Sequence, residues 1–150
     1  MSVVRVQTEA FDVGAEIARL TERRTDIGGI GCFVGTVRAT EAHPIAALTL
    51  EHYPAMTEPA LARIAAEATD RWELLGCTVI HRVGRLLPGE PIVLVLAAAA
   101  HREAALEATA FLIDWLKTKA PFWKKESLAG GSEAWVDARE TDTAAAARWG

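Results

Sequence analysis

All four lysines of the chain fall within "DWLKTKAPFWKKES", residues 114–127: Lys117, Lys119, Lys124 and Lys125. The other twelve basic residues, from Arg5 to Arg148, are arginine. The two cations differ in kind. An ammonium is a compact point charge whose pKa falls when it is desolvated, so the amine can carry a proton or act as a nucleophile; a guanidinium stays charged and does neither. Lysine confined to one segment therefore points to amine chemistry there. The plainer reading is a solvated basic turn, which either residue would serve.

Three further groups suit a bound anion. Thr36-Val37-Arg38 closes the strand that follows Phe33, His101-Arg102 sits where the most apolar stretch meets a helix, and Arg139 follows the last strand. Strand ends and helix starts are where a sheet presents ligands, and free amides at a helix N-terminus favour negative charge. Together with the lysines these residues offer guanidinium forks for a phosphate and amines for reaction. Glu51 and His52 could form an acid–base pair, or His52 could satisfy nearby backbone. No metal is expected, because His43, His52, His81 and His101 lack ligand spacing on any one element. No GxSxG or GxxxxGK[ST] occurs. The glycines from Gly29 read GxGxxxG and run into β-branched residues, which excludes a dinucleotide loop.

At 150 residues, 51% of them hydrophobic, the chain can fill one core without disulfides or a structural metal. Cys32 and Cys77 lie far apart in apolar runs and are expected as buried free thiols in a reducing compartment. The net charge of −4 argues against a general nucleic-acid binder, which presents a broad basic field. The opening "MSVVRVQTEAF" lacks a secretory pattern. The run from Ile92 to Ala100 is too short for a membrane-spanning helix. A soluble, cytoplasmic protein is expected.

The elements that must position these residues are set by pattern. "VVRVQTEAF" reads as a strand. "DVGAEIARLTERR" reads as a helix with Asp12 as N-cap and Val13, Ile17 and Leu20 on one face. "GGIGCFVGTVR" and "IAALTLEHY" are strands. A long helix is expected after Pro54, capped by Thr57, with Pro59 in its first turn and Leu61, Ile64, Ala68 and Trp72 along one face. "CTVIHRVGRLL" and "PIVLVLAAAA" form two strands joined by a turn at Pro88-Gly89, the second covered on both faces. Residues 102–118 form a helix with a narrow polar stripe at Glu103, Glu107, Asp114 and Lys117. Pro121 stops that helix, and "FWKKES" leaves as a strand, so Lys117 and Lys124 can turn toward one cleft. A turn at Gly130-Gly131, a strand "EAWVDA" and a polar, alanine-rich tail complete the chain. The expectation is one α+β domain over 1–150, with a mixed, mostly antiparallel sheet packed with helices and a flexible tail over 140–150.

"FVGTVR", "LTLEHYPAMTE", "HRVGRLLPGE", the His-Arg of "AAAAHR" and above all "IDWLKTKAPFWKKE" closely resemble the large, catalytic subunits of molybdopterin synthases, from about Phe33 to Trp149. The resemblance implies an alpha/beta-hammerhead-like fold and a sulfurtransferase of molybdenum cofactor biosynthesis that needs no cofactor of its own. It implies a homodimer, each copy binding a small ubiquitin-like subunit whose C-terminal Gly-Gly thiocarboxylate threads into the active site, a heterotetramer in all. Two sulfurs pass in turn to cyclic pyranopterin monophosphate, giving the dithiolene of molybdopterin. Carried over by residue, Lys117 and Lys124 are catalytic. Arg38, His101, Arg102 and Arg139 bind the anion, Thr36, Val37, Lys125 and Glu126 line the same pocket, and Phe33 packs beside the tail. The same cluster would also suit a non-catalytic module that holds such a tail or a small anionic metabolite.

Overall fold

A computed structural model describes residues 2–136 and 140–150. In chain order the elements are β1 (Ser2–Gln7), α1 (Val13–Thr21), β2 (Gly29–Thr36), β3 (Ile45–His52), α2 (Pro54–Trp72), β4 (Gly76–Arg82), β5 (Gly84–Leu86), β6 (Pro91–Ala99), α3 (Arg102–Thr118), β7 (Phe122–Leu128), β8 (Glu133–Val136) and α4 (Glu140–Ala147). The strands form two four-stranded sheets, ordered β1-β4-β6-β2 and β5-β3-β7-β8. Among the described residues all pairings are antiparallel except β1 with β4. The α+β class and the mostly antiparallel pairing agree with the sequence reading, with the strands shared between two sheets.

The first sheet is covered on both faces, as its composition requires. Val93, Val95, Ala97 and Ala99 of β6 join Cys77 and Val79 of β4 under α2 and α3. The alternate residues Leu94, Leu96 and Ile80 pack under Phe11, Val13, Ile17 and Leu20 around α1. Each such fully buried aliphatic side chain contributes about 1.5–3 kcal/mol. Asp12 caps α1 as expected, its side chain accepting from the Ala15 amide. Gly31 lets α3 lie directly on β2, since a Cβ there would collide with Thr109 Oγ1 and the Ala105 carbonyl. This close approach fixes where both ends of α3 come to rest.

Two boundaries and one burial differ from the sequence reading. The run "CTVIHRVGRLL" is two strands: β4 pairs with β6, while β5 pairs with β3 in the other sheet. Gly84, at φ +92°, begins the segment that crosses over, a conformation that favours glycine. α2 starts at Pro54, not at Thr57, because proline fits the first helical position. Thr57 lies inside the first turn, its hydroxyl donating to the Tyr53 carbonyl. Cys32 is exposed and only Cys77 is buried, because β2 is an edge strand and Cys32 alternates outward.

The alanine-rich tail contains a helix, α4, with an aromatic anchor beyond it. Trp149 meets Trp72 and Phe111 edge to face, and its indole N–H donates to Asp114 at 2.6 Å. The polar stripe of α3 is thus largely a docking strip: Glu107 accepts from Trp72, and Asp114 also accepts from Arg148.

Candidate active site

Lys117 lies in the last turn of α3, where the carbonyl end of the helix favours a cation. The backbone then turns at Ala120–Pro121 into β7. Alternation along β7 puts Phe122, Lys124, Glu126 and Leu128 on one face and Trp123, Lys125 and Ser127 on the other. The first face is the core face: Lys124 pairs with Leu50 and Glu126 with Leu48, both leucines belonging to the second sheet's apolar cluster, against which Phe122 and Leu128 also pack. Lys124 is therefore an amine placed where the pattern elsewhere puts hydrophobes.

Both amines line one cleft of about 350 Å³ together with Phe122, Trp135 and Val136 of β8, and Asp142 of α4. A smaller pocket of about 20 Å³ adjoins it. Leu116, Lys117 and Lys124 border both spaces, and Phe33, Gly35 and His81 help to close the smaller one. Burial pushes the Lys124 pKa below its ordinary value, the Lys117 ammonium pushes it the same way, and the Asp142 carboxylate partly opposes them. Desolvation plus a like charge is how an amine is brought toward neutral-pH proton exchange.

The remaining sequence candidates divide sharply. Phe33 borders the smaller lysine pocket. Thr36 ends β2 and Arg38 is exposed just beyond it, at the lysine end of that strand. Val37 does not line the cleft. It is 3% exposed within the second sheet's core, and its amide and carbonyl are taken by Glu90 and Gly89. Lys125 faces away from Lys124, its ammonium 5.4 Å from the Trp135 ring centroid and 3.8 Å from Glu133. Glu126 shares the Lys124 face but bonds His43 at 2.9 Å. His52 is half-buried and Glu51 exposed; as neighbours on a strand they point to opposite faces and do not form a pair. Arg139 lies outside the described residues.

His101 and Arg102 lie at the other end of α3, beside Gly28 in a separate shallow depression. Fifteen residues separate Arg102 from Lys117 along the helix, which at about 1.5 Å each is about 22 Å. Within one chain they do not share a pocket.

The structure adds His81 and Asp142 to the site. By pattern His81 reads as core, because it continues the inward alternation of Cys77 and Val79. Asp142 belongs to a helix the sequence pattern did not announce.

Residues 6–119 match the family model described as MoaE protein. The chain is 58% identical over 147 residues to the molybdopterin synthase catalytic subunit of Mesorhizobium japonicum, covering 97% of this chain and 92% of that one. Among solved structures it is similar to the molybdopterin biosynthesis MoaE protein of Burkholderia ambifaria, with TM-score 0.84, 54% identity, and 99% and 98% of the two chains covered. It is also similar to the molybdopterin synthase of Staphylococcus aureus, with TM-score 0.78, 27% identity, and 87% and 94% covered.

Proposed function

The chain belongs to the MoaE protein family, and on that premise we propose that it is the catalytic subunit of a molybdopterin synthase. It takes sulfur from the C-terminal thiocarboxylate of a small ubiquitin-like subunit and delivers it to cyclic pyranopterin monophosphate, forming the molybdopterin dithiolene. The observation that carries this reading is the convergence of Lys117 and Lys124, from a helix end and a strand, on one cleft where Lys124 is desolvated.

The chemistry asks for what that cleft supplies. Each transfer replaces a carbon–oxygen bond on the pterin side by a carbon–sulfur bond, the displaced oxygen leaving with the phosphate or as water, and water then cleaves the tail's acyl–sulfur bond to leave an ordinary carboxylate. Negative charge develops on the tail's acyl oxygen and on the cyclic phosphate as it opens. Two ammonium groups at close range stabilise that charge, and the one with the lowered pKa can exchange a proton with the reacting groups. Sulfur arrives with the partner, so neither the buried Cys77 nor the outward Cys32 is required. Burial pushes both thiols above their ordinary pKa, Cys77 to about 12, which makes them poor nucleophiles. Their free state accords with a cytoplasmic setting, and no described helix is long and apolar enough to cross a membrane.

Arg38 and Thr36 serve the lysine centre of their own chain. His101 and Arg102 serve that of a second copy. β2 is an edge strand, and two copies laid antiparallel along it would set the Gly29 end of one against the Thr36 end of the other. That arrangement brings the partner's His101 and Arg102 to the lysines.

The test supplies thiocarboxylated small subunit and cyclic pyranopterin monophosphate and assays molybdopterin. Product with the parent chain, and its loss in Lys117→Arg, is the expected result. Tight binding of both without product would instead identify a non-catalytic holding module.

A further inference from the structure

We infer that His81 is a positioning residue for the Lys124 amine, its Nε2 lone pair accepting a hydrogen bond from that amine through one water seated in the small pocket. Four observations converge on it. First, His81 Nδ1 lies 2.8 Å from the Arg82 carbonyl oxygen. A carbonyl only accepts, so Nδ1 carries the proton, and a neutral ring then has a bare Nε2. Second, the ring is neutral: burial pushes its pKa down to about 3, and the nearby charges of Lys124, Lys117 and His52 act in the same direction. An imidazole so placed cannot hold a proton near neutral pH, which makes it an acceptor and not a base.

Third, the ring is rigidly aimed. It stacks on Phe122 at 3.9 Å between centroids and 17° between planes, and Phe122 precedes Lys124 by two positions on the same face of β7. Fourth, His81, Lys117 and Lys124 all border the pocket of about 20 Å³. One water needs roughly 10–15 Å³ and two to four polar partners, and these three side chains supply them. A lysine has donors and no acceptor, so an obligate acceptor is the complement the amines lack among themselves. Lys124 is faced by Lys117 from α3, His81 from β4 and Asp142 from α4, while His52 at the end of β3 acts on His81. Of these, Asp142 supplies charge from the open cleft, and His81 supplies direction from below.

An acceptor stabilises the ammonium, so removing it lowers the Lys124 pKa further. The experiment measures that pKa in the isolated chain by NMR of the lysine side chain, and the ring tautomer by the nitrogen shifts of His81. In His81→Phe, which keeps the stack, and His81→Asn, which offers nothing at the Nε2 position, the Lys124 pKa should fall by about one unit. His81→Gln, whose amide oxygen can reach the Nε2 position, should restore most of it. The synthase reading enters only in a second arm: the pH dependence of kcat should move with the lysine pKa while KM for the pterin holds. A parent ring protonated on Nε2, or a Lys124 pKa unmoved in a folded His81→Phe chain, overturns the inference whatever the activity. Because the tautomer is read in the parent protein, the inference remains open to refutation even if a variant fails to fold. Failure to make molybdopterin by the parent chain would instead count against the synthase reading alone.

Discussion

The two ends of α3 carry the same kind of charge in opposite settings. At its C-terminus Lys117 and Lys124 border a cleft and a small pocket lined by Phe122 and His81. At its N-terminus His101 and Arg102 stand exposed at the mouth of a shallow depression. Desolvation separates them: buried charge interacts strongly and shifts its proton affinity, while exposed charge is screened. The lysine end is suited to making and breaking bonds, and the arginine end to attracting and holding an anion. Damage at the first should therefore appear in turnover and damage at the second in binding.

The largest effect is expected from Lys124→Ala. Losing a positioned proton carrier or charge stabiliser should cost about 10²–10⁴ in kcat, measured as molybdopterin formed under saturating partner and substrate. Lys117→Arg keeps the charge and should also lose turnover. A Lys124→Ala chain that retained parent kcat would remove the distinction between the two ends.

Acidification probes the same contrast through stability. The folded pKa of His81 is about 3 against an ordinary 6.5, so the unfolded chain binds the extra proton first. Its contribution is intact above pH 6.5 and is lost as pH falls toward 3. By pH 4.5 the loss is on the order of a few kcal/mol, while that from the buried Glu16 is only beginning. Burial alone would raise the Glu16 pKa, but the bonds from Arg19 and Arg5 outweigh it and hold it below its ordinary 4.5. The stabilisation from Glu16 is fully present well above 4.5 and is lost as pH falls from there through the depressed value. Urea melts at pH 7 and 4.5 should therefore differ for the parent and far less for His81→Phe. Equal losses in both would dissociate the lysine end from this titration.

Much of this division was legible in the sequence. Pro121 between a helical and an alternating segment predicts that Lys117 and Lys124 converge, and they do. Period-two alternation already implies that Lys125 faces away from Lys124. The helical rise already implies that Arg102 and Lys117 stand a helix length apart, so placing both in one pocket of a single chain disregards a distance the pattern contains. The split of "CTVIHRVGRLL" was not legible, because either reading buries the same apolar residues and only the backbone at Gly84 chooses. α4 was hidden for a different reason: it has little apolar face of its own, and its C-terminal end is held by the Trp149 indole reaching Asp114. His81 was hidden because a histidine on the inward phase of a strand looks like a satisfied core residue until its neighbours from α3 and β7 are known.

Gly31→Ala disturbs both ends together, since it lifts α3 from β2 by forcing space between the new methyl and Thr109. A cost of about 1–3 kcal/mol is expected, read as a lower urea midpoint with an unchanged slope. The loss of activity at fixed stability should be greater than Lys125→Ala produces, because Lys125 lies off the α3 side of β7.

The smallest effect is expected at the arginine end, and it is also the most informative about geometry. Arg102→Ala removes an exposed guanidinium, so about a tenfold rise in KM for the pterin is expected, equivalent to about 1.4 kcal/mol, with kcat nearly retained and the difference from the parent shrinking as salt is raised. About 22 Å of helix separates that arginine from the lysines of its own chain, so on the proposed arrangement the loss is felt by the other copy. Chains carrying Arg102→Ala and chains carrying Lys124→Ala, mixed and allowed to exchange, should form hybrid dimers. In these, one centre combines an intact lysine pair with an intact Arg102 from across the interface, and the other centre carries both lesions. Low-substrate activity of the mixture should then exceed the mean of the two separate variants. A mixture that merely averages them would overturn the assignment of Arg102 to the centre of the other copy.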